Sequence, residues 1–597
     1  MRFAGDSGDG MQITGSQFTN TTAVVGNDLA TLPDYPAEIR APAGTLAGVS
    51  SFQLHFGDHR VYTPGDQPDV LVAMNPAALK VHLGDLRERG VLLTNSDAFN
   101  AGNLQKAGFQ GNPLEDGSLA KYQLFKIPIS KLTNETLKDS PLPTKSKERC
   151  KNFFALGVLL WLYQRPMDVS LAWIQDKFGK KPELADANTR ALKAGYHFGE
   201  TAEMFQVTYE VAPMKREPGT YRNIAGNQAV AIGMVAVSEL SGLPVFLASY
   251  PITPASDVLH ELSGYKNFNV HTFQAEDEIA AAGAAIGASF AGALGVTTTS
   301  GPGLDLKAES VSLALRAELP LVVVDIQRGG PSTGLPTKTE QADLLHAIYG
   351  RHGEAPVCVI AAKSPGDCFY MTIEAFRLAA KYMTPVILLT DGYIANGAEP
   401  WKIPAFSDLK PLKVNFRTDP ANFSPATRDP ATLARPWVKP GTPGLEHRIG
   451  GIESDYNTGN ISYDPKNHEK MVRTRQEKID RIAQDVPPTE ILGDKKGKLL
   501  VVGWGSTFGA IQAAVVRSRA KGLSVSSVHI THMNPLPPDL GGILKNFDKV
   551  LIPELNLGQL LKLIRAKYLV DAIGLNKIQG LPFRAAEIEA KIEELCK

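Results

Sequence analysis

Short apolar runs that alternate with helical stretches constrain the fold of this chain more than any other feature. Between residues 245 and 392 the runs are VFLASYP, NVHTFQ, GVTTTSG, LPLVVVDIQR and PVILLTDG. Strands that are apolar throughout are buried on both faces, as in a parallel sheet covered by helices. The sequence therefore predicts an α/β fold built on several parallel sheets.

The same alternation is found near both ends of the chain. At the start, a short strand at Arg2–Ala4 leads through the glycine-rich turn Gly5–Gly10 towards a helix, and apolar runs at 69–75 and 90–95 flank another. At the end, KLLVVGWGS, VSSVHITHM and KVLIPELN alternate with helical stretches. A chain of 597 residues exceeds one hydrophobic core, so we expect several domains.

Changes in composition divide the chain into four segments. Residues 1–210 form a first α/β domain, and residues 211–400 form a second, which opens with a helix that ends at Gly242. Residues 401–495 are rich in proline and poor in apolar runs, which indicates a connecting arm. Residues 496–597 form a smaller α/β domain.

Composition argues against several classes of function. The 62 basic residues balance 62 acidic ones, which leaves no overall field for nucleic acid or an anionic membrane. No run approaches the roughly 18 apolar residues that span a bilayer, and the start MRFAGDSGDG is unlike a signal peptide, so we expect a cytoplasmic protein. The four cysteines are scattered, and none belongs to a Cys-x-x-Cys pair, so we expect no metal or iron–sulfur site within this chain.

The block SYPITPAS, residues 249–256, leaves a strand and enters a helix. Ligands of open α/β sheets lie at such strand ends. Pro251 and Pro254 restrict the backbone around Thr253 and hold its hydroxyl at a helix N-terminus, where anions bind well. The residues alone are equally consistent with simple helix capping by Thr253 or Ser256.

Three further polar blocks follow later strands. FQAEDE, residues 273–278, places three acidic residues at the start of the small-residue helix IAAAGAAIGASFAGA. Acidic residues interact favourably with the helix dipole there, whether or not they also belong to a functional site. TTTSGPG, residues 297–303, is either an ordinary loop or a seat for a ring or polar substrate atoms. Arg328 stands at a strand end before a rigid loop, and arginine is suited to bidentate recognition of a carboxylate.

In this order and spacing, SYPITPAS, FQAEDEIAAAGAAIGA, TTTSGPG and QRGGPSTGLPTKTEQADL resemble the α subunit of 2-oxoacid:ferredoxin oxidoreductases. GDSGDGMQITGSQF and LPDYPAEIRAPAGTLAGVSSFQLHFG resemble the γ domain of that family, fused at the N-terminus as in 2-oxoglutarate-type enzymes. GWGST and HITHMNPLPP resemble its transketolase C-terminal-like domain. The resemblance covers nearly the whole chain and is weakest over residues 405–490. It implies that 1–210 is the γ domain and 211–400 the pyrimidine-binding-like thiamine diphosphate domain.

The resemblance implies thiamine diphosphate shared with a β subunit, which supplies Mg²⁺, the pyrophosphate loop and a [4Fe–4S] cluster, in a dimer of αβ pairs. It implies that 2-oxoglutarate, coenzyme A and oxidised ferredoxin are interconverted with succinyl-CoA, CO₂ and reduced ferredoxin. Run in reverse, this is the carboxylation of a reductive tricarboxylic acid cycle. Pyruvate and branched-chain 2-oxoacids remain alternative substrates.

One motif is misleading on this interpretation. Gly8-Asp9-Gly10 resembles the start of a pyrophosphate-binding pattern, Gly-Asp-Gly followed by Asn-Asn, but the position of the second half reads Asp34-Tyr35-Pro36. The segment matches the γ domain instead. A competing hypothesis takes the Gly5–Gly10 turn as part of a coenzyme A- or nucleotide-binding module without redox activity. A neighbouring gene for a partner with the complete pattern and four cysteines would decide between the two.

The resemblance also assigns roles to single residues. Glu278 matches the glutamate that bonds N1′ of the aminopyrimidine and so promotes removal of the thiazolium C2 proton, and Glu276 is the fallback if the register slips by two. Thr253 matches the threonine that contacts the 2-oxo acid group, and Arg328 matches the arginine that binds the C1 carboxylate. The residues expected to contact the cofactor besides Glu278 are Tyr250, Pro251, Ile252, Ser300 and Gly301.

Selectivity between 2-oxoacids must come from contacts with the distal end of the substrate. The loop after Arg328 offers Thr333, Thr337 and the cation of Lys338. A second cation beside a pocket is costly to desolvate unless an anion pairs with it, and a distal carboxylate supplies that anion. This favours 2-oxoglutarate. A solvated Lys338, or selection by a residue of the β subunit, remains an alternative.

Overall fold

The computed structural model describes residues 1–36, 41–202, 205 and 207–597. It consists of sheets covered by helices, which confirms the predicted α/β class. The strands are β1 Arg2–Asp6, β2 Asp28–Asp34, β3 Val49–Gly57, β4 Val70–Ala73, β5 Val91–Asn95, β6 Gln123–Ile127, β7 Tyr221–Ala225, β8 Val245–Ser249, β9 Val270–Gln274, β10 Leu294–Thr299, β11 Leu321–Gln327, β12 Cys358–Ala361, β13 Pro385–Asp391, β14 Ala398–Lys402, β15 Ile491–Leu492, β16 Gly497–Trp504, β17 Val525–Ile530, β18 His532–Asn534, β19 Phe547–Glu554 and β20 Ile573–Asn576.

The helices alternate with these strands over much of the chain. They are α1 Met11–Val25, α2 Pro76–His82, α3 Ala101–Lys106, α4 Ile129–Thr136, α5 Thr144–Arg149, α6 Lys151–Leu162, α7 Asp168–Phe178, α8 Pro182–Thr201, α9 Gly226–Ser241, α10 Ser256–Leu262, α11 Glu278–Phe290, α12 Gly301–Ala317, α13 Leu344–Tyr349, α14 Asp367–Tyr382, α15 Gly392–Asn396, α16 Pro465–Arg481, α17 Phe508–Ala520, α18 Leu540–Leu544, α19 Gln559–Tyr568 and α20 Ala585–Cys596. Among the described residues, no helix combines the length and the apolar character needed to cross a membrane.

The chain forms two compact units. The first consists of residues 1–223 and 397–403, and the second of residues 224–396 and 404–597. The segment boundaries at 210, 400 and 495 remain predictions from composition.

The first unit contains a six-stranded sheet with the order β2-β3-β1-β4-β5-β6. From β1 to β6 the neighbours are parallel, as expected, whereas β3 pairs antiparallel with both β1 and β2. The predicted parallel sheet is therefore mixed. Part of the γ-like block, residues 37–40, lies outside the described residues. In the Gly8–Gly10 turn, the Asp9 carboxylate lies 2.8 Å from Nζ of Lys151.

The second unit contains a seven-stranded sheet with the order β18-β12-β13-β11-β10-β8-β9. All neighbours from β12 to β9 are parallel, and β11 is buried at every residue. The edge strand β18 comes from the C-terminal part of the chain and pairs antiparallel with β12, with Ile360 opposite His532. The run VSSVHITHM, predicted as one strand, thus breaks after Ile530 into two strands of different sheets.

The C-terminal part of the second unit has its own five-stranded sheet, with the order β15-β17-β16-β19-β20. Its strands from β17 to β20 are parallel, as the alternation predicts, and β15 is antiparallel.

The proline-rich segment from 404 to 464 packs closely although it has little regular structure. Arg435 Nε donates to the carbonyl oxygen of Ala317 at 3.1 Å, and Trp437 Nε1 donates to that of Ser289 at 3.1 Å. The segment ends in α16, which was not predicted because most of its residues are charged and few are buried. Lys478 of this helix is buried and binds the carboxylate of Glu318.

Candidate active site

The carboxyl ends of neighbouring parallel strands meet at one edge of the seven-stranded sheet. β8 ends at Ser249, β10 at Thr299 and β11 at Gln327, and β10 lies between the other two. The hydroxyls of Ser249 and Thr298 lie 2.7 Å apart, so side chains also join β8 to β10 here. All four polar blocks of the sequence leave the sheet at this edge, which is where ligands of open α/β sheets bind.

The two residues predicted to bind the 2-oxoacid group are in direct contact. Arg328 Nη1 donates to the backbone carbonyl oxygen of Thr253 at 2.6 Å. Asn227 Nδ2 donates to the carbonyl oxygen of Pro254 at 2.9 Å and fixes the same loop from the other side. Arg328 is buried, but its Nε has no hydrogen-bond partner among the described residues, so the guanidinium retains a donor for a ligand. Thr253 is exposed.

The three acidic residues before α11 have three different environments. Glu276 is exposed. Asp277 is the N-cap of the helix, and its carboxylate accepts a hydrogen bond from the N–H of Ala280 at 2.7 Å. Glu278 is only 7% exposed. Capping therefore accounts for Asp277 but not for Glu278, whose burial in an apolar helix calls for a polar partner.

Helix α12 begins directly against Glu278. A Cβ on Gly303 would lie 2.8 Å from Cγ of Glu278 and 2.1 Å from Oγ1 of Thr299, so only glycine allows this approach. Ser300 is the N-cap residue of α12, but its hydroxyl caps nothing and is buried without a hydrogen-bond partner. A Cβ on Gly301 would lie 3.1 Å from Oδ2 of Asp343. A buried carboxylate, an unpartnered hydroxyl and a helix N-terminus thus lie together.

Three of the residues expected to contact a cofactor ring lie together in one loop. Tyr250 and Ile252 are half-buried, and Pro251 is exposed. They lie in the loop between β8 and α10 that Asn227 and Arg328 hold in place.

The loop that follows Arg328 closes on itself. The N–H of Gly329 donates to the carbonyl oxygen of Lys338 at 2.9 Å, which brings the backbone of Lys338 beside Arg328. Thr333 is exposed, and Thr337 and Lys338 are half-buried. A Cβ on Gly580 would lie 2.7 Å from Cβ of Lys338, so the stem of the lysine packs against that residue.

Three ionisable residues of the same region were assigned no role from the sequence. They are Lys307, Asp325 and Asp343. Lys307 and Asp325 are completely buried, and Nζ of Lys307 and both carboxylate oxygens of Asp325 lack a conventional hydrogen-bond partner. Burial lowers the pKa of Lys307 to about 8, although Glu278 and Asp325 oppose this change. Burial and the neighbouring Asp343 raise the pKa of Asp325 well above its usual range. The feature of the sequence that could have indicated Asp325 is that it is the single acidic residue inside the apolar run LVVVDIQ.

Among the described residues, no group of three or more histidine, cysteine, aspartate or glutamate side chains is placed to hold a metal ion. Cys150, Cys358, Cys368 and Cys596 are all free.

Comparison with known proteins places these residues in a family context. Residues 239–464 match the profile of the thiamine diphosphate-binding domain of pyruvate flavodoxin/ferredoxin oxidoreductases, and residues 1–198 match that of pyruvate ferredoxin/flavodoxin oxidoreductase. The chain is 56% identical to 2-oxoglutarate oxidoreductase subunit KorA of Mycobacterium tuberculosis, over 98% of this chain and 90% of that protein. It is 29% identical to the α subunit of 2-oxoacid:ferredoxin oxidoreductase 2 of Aeropyrum pernix, over 99% and 97%.

A solved structure agrees with this similarity over the whole length. The 2-oxoglutarate:ferredoxin oxidoreductase of Magnetococcus marinus, solved with 2-oxoglutarate, coenzyme A and succinyl-CoA bound, superposes with a TM-score of 0.87 at 31% identity and covers 100% of this chain and 99% of that one. The chain therefore belongs to the 2-oxoacid:ferredoxin oxidoreductase family, as a chain of the α-subunit type.

Proposed function

We propose that this chain is the α subunit of a thiamine diphosphate-dependent 2-oxoglutarate:ferredoxin oxidoreductase, which forms succinyl-CoA and CO₂ from 2-oxoglutarate and coenzyme A while it reduces ferredoxin. The observation that carries the proposal is the buried Glu278 at the sheet edge where Arg328 is joined to Thr253. Similarity to 2-oxoglutarate enzymes along the full chain supports the substrate class. We further propose that it acts in the cytoplasm, where coenzyme A and ferredoxin are available.

The residues at the edge fit the aminopyrimidine of thiamine diphosphate. Glu278 offers a buried carboxylate for a ring N–H, and the Ser300 hydroxyl is buried without a partner beside it. Gly303 removes the side chain that would otherwise displace the carboxylate. When bound, thiamine diphosphate supplies a nucleophilic carbon and an electron sink for decarboxylation of a 2-oxoacid.

Each of the other residues has a separate task in the proposed reaction. Glu278 holds the proton at N1′ of the aminopyrimidine. Arg328 binds the C1 carboxylate with its remaining donors, and the hydrogen bond to Thr253 keeps the threonine hydroxyl near the 2-oxo group. Tyr250, Pro251, Ile252 and Gly301 form the walls of the ring pocket.

The proposal requires a partner chain. The expected β subunit supplies the pyrophosphate loop, Mg²⁺ and a [4Fe–4S] cluster, and the assembly is a dimer of αβ pairs. Such a cluster would carry the two electrons of the reaction singly to ferredoxin.

The isolated chain is expected to bind no iron–sulfur cluster and to show no turnover, because its four cysteines are scattered in sequence and it lacks the complete pyrophosphate-binding pattern. Iron analysis and visible spectra of the chain, refolded alone and co-purified with the product of the neighbouring gene, test this. Stoichiometric iron in the isolated chain contradicts the prediction.

The function as a whole is tested by purifying the complex and measuring viologen reduction with a panel of 2-oxoacids in the presence of coenzyme A. We expect 2-oxoglutarate to have the highest kcat/KM. A preference for pyruvate or a branched-chain 2-oxoacid would keep the chemistry and change the substrate, whereas no reduction with any 2-oxoacid would contradict the function.

Lys338→Met is expected to raise KM for 2-oxoglutarate about tenfold or more, and to change KM for 2-oxobutyrate much less, because only the first substrate has a distal carboxylate to pair with Lys338. Thr333→Val and Thr337→Val are expected to have smaller effects in the same direction. Steady-state kinetics with both substrates measure this. If KM rises equally for both substrates, or for neither, Lys338 has no part in substrate selection.

A further inference from the structure

Lys307 lies on the face of α12 that packs against Glu278. It follows Gly303 by four residues, which places the two on the same side of the helix, and Gly303 is the residue in contact with Glu278. Lys307 has no exposed surface, and its ammonium has no hydrogen-bond partner in the part of the chain that the structure describes. A buried lysine without a partner is costly, so its charge must be balanced by neighbouring groups.

Strand β11 carries a second buried carboxylate, that of Asp325. It pairs in register with Thr299, the strand residue against which Gly303 also packs. Asp325 and Asp343 are within hydrogen-bond reach of each other. Among the described residues, no N–H donates to the carboxylate of Asp325. Burial and the neighbouring Asp343 raise the pKa of Asp325 well above its usual range, which favours a proton shared between the two carboxyl groups.

Two cationic side chains face the cluster of buried carboxylates. They are Lys307 and Arg328, and the carboxylates favour the charged form of each. The other ionisable groups that face this cluster are Asp277, Asp305, Glu340 and His346. A substrate carboxylate that binds Arg328 adds a negative charge, and of the two cations Lys307 and Arg328 only Lys307 then remains available to Glu278.

We propose that Lys307 is a positioning residue whose ammonium is the counter-charge of Glu278 during turnover, when the substrate carboxylate occupies Arg328. The inference rests on the proposed roles of Glu278 and Arg328. It assigns Lys307 to the proton step at N1′ and not to the binding of substrate or cofactor.

Lys307→Gln tests the proposal, because glutamine keeps hydrogen-bond donors near Asp325 but removes the charge. In the complex of the full chain with its partner, exchange of the C2 proton of bound thiamine diphosphate, followed by acid quench and NMR, is expected to slow about tenfold. The dissociation constant of thiamine diphosphate and KM for 2-oxoglutarate are expected to change less than about threefold, while kcat falls in parallel with exchange.

Two control variants distinguish the effect of losing the Lys307 charge from a structural effect of the substitution. Lys478→Gln removes another buried lysine of the same unit, paired with Glu318 at the far end of α12, and is expected to leave exchange in the folded enzyme unchanged. Asp325→Asn is expected to slow exchange less than twofold, because it leaves the Lys307 cation in place.

If the C2 proton exchanges at the wild-type rate in Lys307→Gln, the proposal is overturned. Equal slowing of exchange in Asp325→Asn also overturns it, because Lys307 would then be only a structural partner of Asp325. Glu278→Gln distinguishes failure of the inference from failure of the proposed function. If the C2 proton exchanges at the wild-type rate in Glu278→Gln, the function assigned to Glu278 is wrong. If exchange is lost in Glu278→Gln but stays at the wild-type rate in Lys307→Gln, only the role of Lys307 is wrong.

Discussion

Glu278→Gln is expected to lower kcat by about 10²-fold or more while the protein stays folded, because an amide cannot take up the proton that we propose the carboxylate holds at N1′. Glutamine has nearly the same size, so it fits the space between α11 and Gly303. Viologen reduction with saturating 2-oxoglutarate measures the loss, and thermal unfolding of the complex checks the fold.

Glu276→Gln is the matched control. Glu276 is two residues away and exposed, so the same substitution is expected to leave turnover near that of the wild type. If Glu276→Gln is inactive and Glu278→Gln is not, the register of the assignment is wrong by two residues. If both variants are active, the site lies elsewhere.

Arg328→Met is expected to lower kcat/KM for 2-oxoglutarate by about a hundredfold or more, since truncation of one partner of a buried, hydrogen-bonded charge pair costs roughly 2–5 kcal/mol. The substitution keeps most of the apolar stem and removes the fork that would bind the C1 carboxylate. Arg328→Lys is expected to recover only part of the loss, because a lysine keeps the charge without the bidentate geometry.

Arg351→Met controls for the loss of a partly buried arginine in the same unit. Arg351 donates only to backbone carbonyl oxygens, those of Ala347, Ile348 and Ala355, so its replacement is expected to lower thermal stability without changing KM. An unchanged kcat/KM in Arg328→Met would mean that Arg328 only supports the Thr253 loop.

Much of the fold was predictable because its strands are apolar along their whole length. β11 is buried at every residue, so it stands out in the sequence as a continuous run that ends at a polar strand terminus. The helix that follows Ala225 ends where Gly242 adopts a left-handed conformation, as predicted. Strand ends also indicated the candidate site, because parallel strands bring successive carboxyl ends to one edge.

The parts that were not predictable depend on contacts between distant residues. α16 is mostly charged, and its helical state is supported by buried contacts such as Lys478 with Glu318. The antiparallel pairing of β3 and the break between β17 and β18 arise from sheet partners, which a local pattern does not contain. Lys307 looks like an ordinary surface lysine in the sequence, because only the tertiary fold buries it beside Glu278.

The edge strand β18 has a consequence for how the second unit is made on the ribosome. Strand β12 is complete at Ala361, but its outer edge stays open until residues 532–534 have been synthesised about 170 residues later. An unpaired edge of a largely apolar sheet is a site of mispairing with other chains. A chain released early, before β18 is made, would therefore expose that edge permanently, and we expect such fragments to depend on chaperones or to aggregate.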